Sequence, residues 1–175
     1  TGVYDYLDRN FALPRQERVE WKGTDGAKVE GILTYPIGYR AGTKYPLVVQ
    51  MHGGPEASDR FGFASIFFNY QPAWASRRYA ILRPNYRGSS GYGNVSYREP
   101  VGGYFKKSHL DVLAGVDRVI AMGVADPDRL GVGGWSYGGI LTDHVITKTN
   151  RFKAATSGAS APPAAFTIAN SPLTL

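Results

Sequence analysis

Gly134-Trp135-Ser136-Tyr137-Gly138-Gly139 holds a serine with a glycine two residues to either side. A serine at that spacing suits acyl transfer. Its hydroxyl must stand out from a sharp strand-to-helix turn, so its backbone is strained and its neighbours at ±2 have to be small. A helix that starts at the serine also favours developing negative charge through its N-terminal dipole. The tetrahedral oxyanion of acyl transfer needs two donors. One is the backbone N–H after the nucleophile, here that of Tyr137. The other comes from a loop after a neighbouring strand, where glycine lets backbone approach substrate closely. His52-Gly53-Gly54-Pro55 has that composition, and either Gly53 or Gly54 could supply the amide. Each segment alone also reads as an ordinary Gly-rich turn. Together they point to one site.

That chemistry requires strands ending at residues 52 and 135, and the hydropathy pattern supplies them. Tyr45-Pro46-Leu47-Val48-Val49-Gln50-Met51 is a short, nearly continuous apolar run of the kind buried on both faces of a sheet. Arg129–Gly133 follows the turn Asp126-Pro127-Asp128 and reads as a strand, with a helix over Tyr137 to Lys148. Between these lie a predicted helix from Phe61 to Arg77, a strand over Tyr79–Pro84 and the loop Asn85 to Gly93. Leu110, Val112, Leu113, Val116, Val119 and Ile120 recur at three- and four-residue steps, which predicts an amphipathic helix over 105–122. Upstream, Val19–Lys22 and Lys28–Tyr35 form a hairpin around Thr24-Asp25-Gly26. Residues 1–18 read as a linker leading into the domain, Phe152–Ser157 as a last short strand, and 158–175 as loop. After the hairpin, strands and helices alternate, which argues for right-handed crossovers and a parallel sheet with helices on both faces.

Composition narrows the class further. The chain has 175 residues, 43% of them hydrophobic and 19% charged, which fits one globular domain and excludes disorder, a collagen repeat and a coiled coil. Without cysteine there is no disulfide, no thiolate metal site and no Cys nucleophile. The net charge of +6 is spread along the chain, with pairs such as Arg77-Arg78 and Lys106-Lys107 as its densest points. A nucleic-acid footprint needs clustering on one face, so neither nucleic acid nor membrane is expected as a partner. Gly131-Val132-Gly133-Gly134 starts like a dinucleotide loop, but Ser136 takes the third-glycine position. The compartment is left open.

Five stretches carry a family resemblance, in order and in register over roughly 19–160: Tyr45 to Pro55, Asn85 to Gly93, Asp111 to Asp117, Gly123 to Leu130, and Gly134 to Gly139. They resemble the prolyl oligopeptidase family of serine peptidases, most of all its acylaminoacyl-peptidase and dipeptidyl-peptidase branches. The resemblance implies an α/β-hydrolase domain, truncated after about six strands and occupying 19–175, with Ser136 as nucleophile. It implies the Tyr137 amide as one oxyanion donor and Gly54 as the preferred second, with His52 as a positioning residue. It also implies a peptide substrate, no metal or organic cofactor, and a propeller domain upstream.

A hydrolase of this kind takes its acid and base after the serine, in the order Asp or Glu, then His. Beyond Ser136 there are only Asp143 and His144, both within the helix that starts at the elbow. Seven helical residues rise about 10 Å, away from the hydroxyl. His52 and His109 precede the serine. The expectation is therefore part of a catalytic domain, whose base and remaining strands lie outside these residues. An esterase or lipase of the same fold is the alternative, and so is a catalytically silent fragment.

Overall fold

Alternation of burial builds the sheet from its first strand. In β1 (Gln16–Lys22), Val19 and Trp21 are buried while Glu20 and Lys22 face solvent. β1 pairs antiparallel with β2 (Lys28–Thr34) across the turn at Thr24-Asp25-Gly26. The structure, a computed structural model, describes residues 5–54, 56–62, 70–98 and 105–160. The remaining strands are β3 (Tyr45–Met51), β4 (Ala80–Asn85), β5 (Ala125–Trp135) and β6 (Ala154–Gly158). They form one six-stranded sheet in the order β1-β2-β4-β3-β5-β6. β2 meets β4 antiparallel; the β4/β3, β3/β5 and β5/β6 pairs are parallel. The expected mostly parallel sheet is present, with the hairpin as its antiparallel margin.

Helices cover both faces, unequally. In β3, Leu47, Val49 and Met51 enter the main core with Val112 and Val116 of α4 (Ser108–Ala121) and Leu141 and Val145 of α5 (Tyr137–Lys148). Each such fully buried side chain contributes about 1.5–3 kcal/mol through removal from water. Strand periodicity turns Val48 and Gln50 to the other face. There they line a cavity of about 810 Å³ with Gln71 and Trp74 of α2 (Gln71–Ser76). β6 forms an edge whose residues Ala154 to Ser157 are exposed.

Several elements differ from the sequence reading. Asp5–Asn10 is a short helix, α1, where the composition suggested an irregular lead-in. β1 begins at Gln16, so residues 16–18 belong to the sheet rather than to a linker. The helix expected over Phe61 to Arg77 is described only as α2; Phe61 and Gly62 are not helical, and 63–69 lie outside the described residues. A one-turn helix, α3 (Gly93–Tyr97), follows the loop after β4. β5 starts before the Asp126-Pro127-Asp128 turn, and the turn is an excursion from the ladder. Tyr45 pairs with Ala125 and Leu47 with Leu130, so the intervening residues of β5 leave the register. Asp126 Oδ1 accepts from the Asp128 N–H at 3.0 Å and closes this excursion. The reading of 161–175 falls outside the described residues.

Candidate active site

β5 delivers Ser136 to its carboxyl end, and α5 starts at the next residue. The serine has φ 57° and ψ −122°, a region that costs an L-residue about 1–3 kcal/mol. Packing on all sides holds it there. A Cβ on Gly134 would strike the Gly138 backbone and come within 2.8 Å of the Met51 carbonyl oxygen. A Cβ on Gly138 would strike the Met51 carbonyl and come within 2.7 Å of that of His52. The ends of β3, β5 and α5 thus meet backbone to backbone, as the two small flanking positions require. The Ser136 N–H donates to Gly158 O at 2.9 Å, and its carbonyl accepts from Ile140 N–H at 3.0 Å. The residue itself is exposed.

The 52–54 loop lies directly beside Ser136. A Cβ on Gly53 would stand 3.4 Å from Ser136 Cβ and 4.0 Å from its Oγ. Gly54 has φ +117°, and a Cβ there would strike the Glu56 amide nitrogen and approach that of Ala57 at 2.8 Å. Only glycine fits both the backbone and the space at position 54. Tyr137 is buried with its ring stacked between Phe105, at 5.4 Å, and Tyr86, at 6.2 Å. Gly53 and Ser136 thus stand side by side, and Tyr137 follows the serine into α5.

The chain has three histidines, and none of them is hydrogen-bonded to Ser136. His144 sits on α5, stacked on Phe105 at 5.0 Å and edge-on to His109 at 4.9 Å; burial, then the neighbouring His109, lower its pKa. His109 Nδ1 is 2.5 Å from Phe105 O. His52 spends Nδ1 on Gly53 O at 2.8 Å and Nε2 on Ser89 Oγ at 2.9 Å. Burial also lowers its pKa. None of these rings is bonded to the Ser136 hydroxyl.

Sequence reasoning quoted the loop after β4 as a motif without assigning work to its residues. In the structure this loop packs between His52 and α4. Arg87 forms a two-pronged pair with the fully buried Asp111 of α4, through Nε to Oδ2 at 2.8 Å and Nη2 to Oδ1 at 2.6 Å. The Arg87 N–H adds a third bond to Asp111 Oδ2 at 3.0 Å, and Nη1 reaches Asp25 at 2.5 Å. These bonds, led by Asp111, raise the Arg87 pKa, while Arg87 holds Asp25 well below the usual carboxylate range. The pair with Asp111 fixes the loop to α4; breaking such a buried pair costs about 3–5 kcal/mol. A basic residue inside an otherwise Gly- and Ser-rich loop was the one available signal.

Strand order and the sharp strand-to-helix turn at Ser136 define an α/β-hydrolase. The chain belongs to the prolyl oligopeptidase family, whose model matches residues 65–167. It is similar to the uncharacterized peptidase YuxL of Bacillus subtilis, with 36% identity over 89% of this chain and 23% of that protein. The acylamino-acid-releasing enzyme of Sus scrofa is 33% identical over 76% of this chain and 17% of its own length. Acylaminoacyl peptidase from Pyrococcus horikoshii superposes with a TM-score of 0.80 at 26% identity, covering 90% of this chain and 25% of that one. The chain therefore spans about a quarter or less of the relatives it matches.

Proposed function

We propose that this chain carries the nucleophile and oxyanion hole of a serine peptidase acting on short peptides. The observation that carries the reading is the exposed, left-handed Ser136 set between Gly134 and Gly138 with Gly53 against it. Ser136 Oγ attacks the peptide carbonyl and passes its proton to a general base. The carbonyl oxygen becomes the oxyanion, held by the amides of Tyr137 and Gly54. Collapse expels the amine with a proton returned from the base, and water then hydrolyses the acyl-enzyme. The base and its acid partner come from residues outside 1–175, because His52, His109 and His144 are engaged elsewhere. A propeller domain upstream is part of the same reading; its support is the small share of each relative that this chain covers.

The test is a parallel assay of the full-length protein with an aminoacyl-anilide and a short-chain acyl ester. Turnover of both is expected, with both activities lost together on treatment with a fluorophosphonate. Ester hydrolysis without any cleavage of the anilide would move the assignment to an esterase of the same fold.

The second donor has its own prediction. Proline cannot adopt φ +117° and has no N–H, so Gly54→Pro removes the amide and displaces the loop. Turnover by the full-length variant is expected to fall by about 100- to 1,000-fold, the usual effect of losing one oxyanion donor. Near-normal turnover in a folded Gly54→Pro enzyme would transfer the role to Gly53.

A further inference from the structure

Two peptide planes carry the amides of the 53–54 loop, and the carbonyl of each is held by a side chain. The His52–Gly53 peptide bears the Gly53 N–H, and its carbonyl accepts from the Tyr86 hydroxyl at 2.6 Å. The Gly53–Gly54 peptide bears the Gly54 N–H, and its carbonyl lies 2.8 Å from His52 Nδ1. Because a peptide is planar and trans, fixing the direction of its C=O fixes the opposed N–H. The direction of the Gly54 donor therefore depends on the His52 imidazole.

That imidazole is set by the loop after β4. Tyr86, fully buried, stacks on it with ring centroids 4.4 Å apart and planes 13° from parallel. Ser89, also fully buried, places Oγ 2.9 Å from Nε2. Near Nδ1 lie Gly53 O at 2.8 Å and Tyr86 Oη at 3.3 Å. The Tyr86 proton is committed to His52 O, so both oxygens face Nδ1 as acceptors and Nδ1 carries the hydrogen. The Ser89 hydroxyl gives its single proton to Tyr86 O at 2.6 Å, so its oxygen faces Nε2 at 2.9 Å as an acceptor and seats the ring beside the loop. Burial raises the Tyr86 phenol well above its ordinary range, so it acts as a neutral donor and takes no part in proton transfer.

We propose that Tyr86 and Ser89 are positioning residues for the oxyanion hole: Tyr86 orients the His52–Gly53 peptide, and Ser89 seats the His52 ring whose Nδ1–H orients the Gly54 amide. The proposal rests on the reading of Ser136 and Gly54 given above. It is built on bonds that reach substrate only through other groups, so it makes a distinct claim. Loss of either hydroxyl should weaken stabilisation of the oxyanion while leaving ground-state substrate binding intact.

The experiment uses the full-length protein with Tyr86→Phe and Ser89→Ala. Each is expected to lower kcat by about 10- to 100-fold, less than loss of a whole donor, with KM held within about twofold. In parallel, the ¹⁵N imidazole signals of His52, identified by their absence in His52→Gln, report the tautomer directly. The wild type is expected to show a protonated Nδ1. A wild type protonated at Nε2 alone overturns the proposal. So do Tyr86→Phe and Ser89→Ala with unchanged kcat, or variants whose kcat and KM change together. If the wild type lacks fluorophosphonate-sensitive hydrolysis, the functional reading fails on its own account, and the tautomer measurement still decides the positioning role.

Discussion

Ser136→Ala in the full-length protein is expected to lower peptide turnover by roughly a million-fold, as loss of the nucleophile does in serine peptidases. The size of the effect follows from what the hydroxyl alone provides. Without it no acyl-enzyme forms, and the oxyanion hole and substrate contacts supply only the residual acceleration over water. Alanine keeps a Cβ and meets the same strain at φ 57°, so the elbow is retained. Ser136→Gly is a useful companion. It is equally inactive, but it relieves a conformation costing about 1–3 kcal/mol, partly offset by the chain entropy of glycine at about 0.5–1 kcal/mol. A melting temperature for Ser136→Gly at or above that of Ser136→Ala, with both inactive, would establish that the strain serves catalysis rather than folding. Substantial turnover in Ser136→Ala would place the nucleophile elsewhere.

The elbow was legible because its chemistry is steric and local. Gly134 and Gly138 mark the two places where backbones meet, and the apolar strand before Ser136 and the helix after it follow from periodicity. β3 was legible for the same reason, as a short unbroken apolar run between turn residues. α1 was not, since the six residues Asp5–Asn10 show no helical period. Nor was the early start of β5, because Ala125 joins the ladder before a turn that locally removes residues from it. The cluster around His52 was hidden for a different reason. Tyr86 and Ser89 are separated from His52 by more than thirty residues, and only the parallel neighbours β3 and β4 bring their ends together. Asp111 likewise gives no sign in sequence that its partner is Arg87; helix packing against the sheet makes the pair.

Residues 1–175 expressed alone are expected to be catalytically silent. A serine hydroxyl near neutral pH is a weak nucleophile until a positioned base takes its proton. The base is not among the chain's histidines. His52 has both ring nitrogens engaged with Gly53 O and Ser89 Oγ, His109 holds Phe105 O, and His144 lies on α5 against Phe105. Drawing His52 away to serve as base would release the Gly53–Gly54 peptide and cost an oxyanion donor, so the exchange brings no gain. The scaffold adds to the deficit. On the α2 face Val48 and Gln50 border a cavity of about 810 Å³, and β6 presents exposed residues along the sheet edge. Among the described residues β6 is the last strand of the sheet, and an edge of that kind invites association. Treating the polypeptide with a fluorophosphonate beside the full-length protein is expected to label only the latter at Ser136, with broad thermal unfolding or aggregation of the former. Stoichiometric labelling of residues 1–175 that disappears in Ser136→Ala would defeat this prediction. It would require one of the three histidines to leave its present partners and reach the Ser136 hydroxyl.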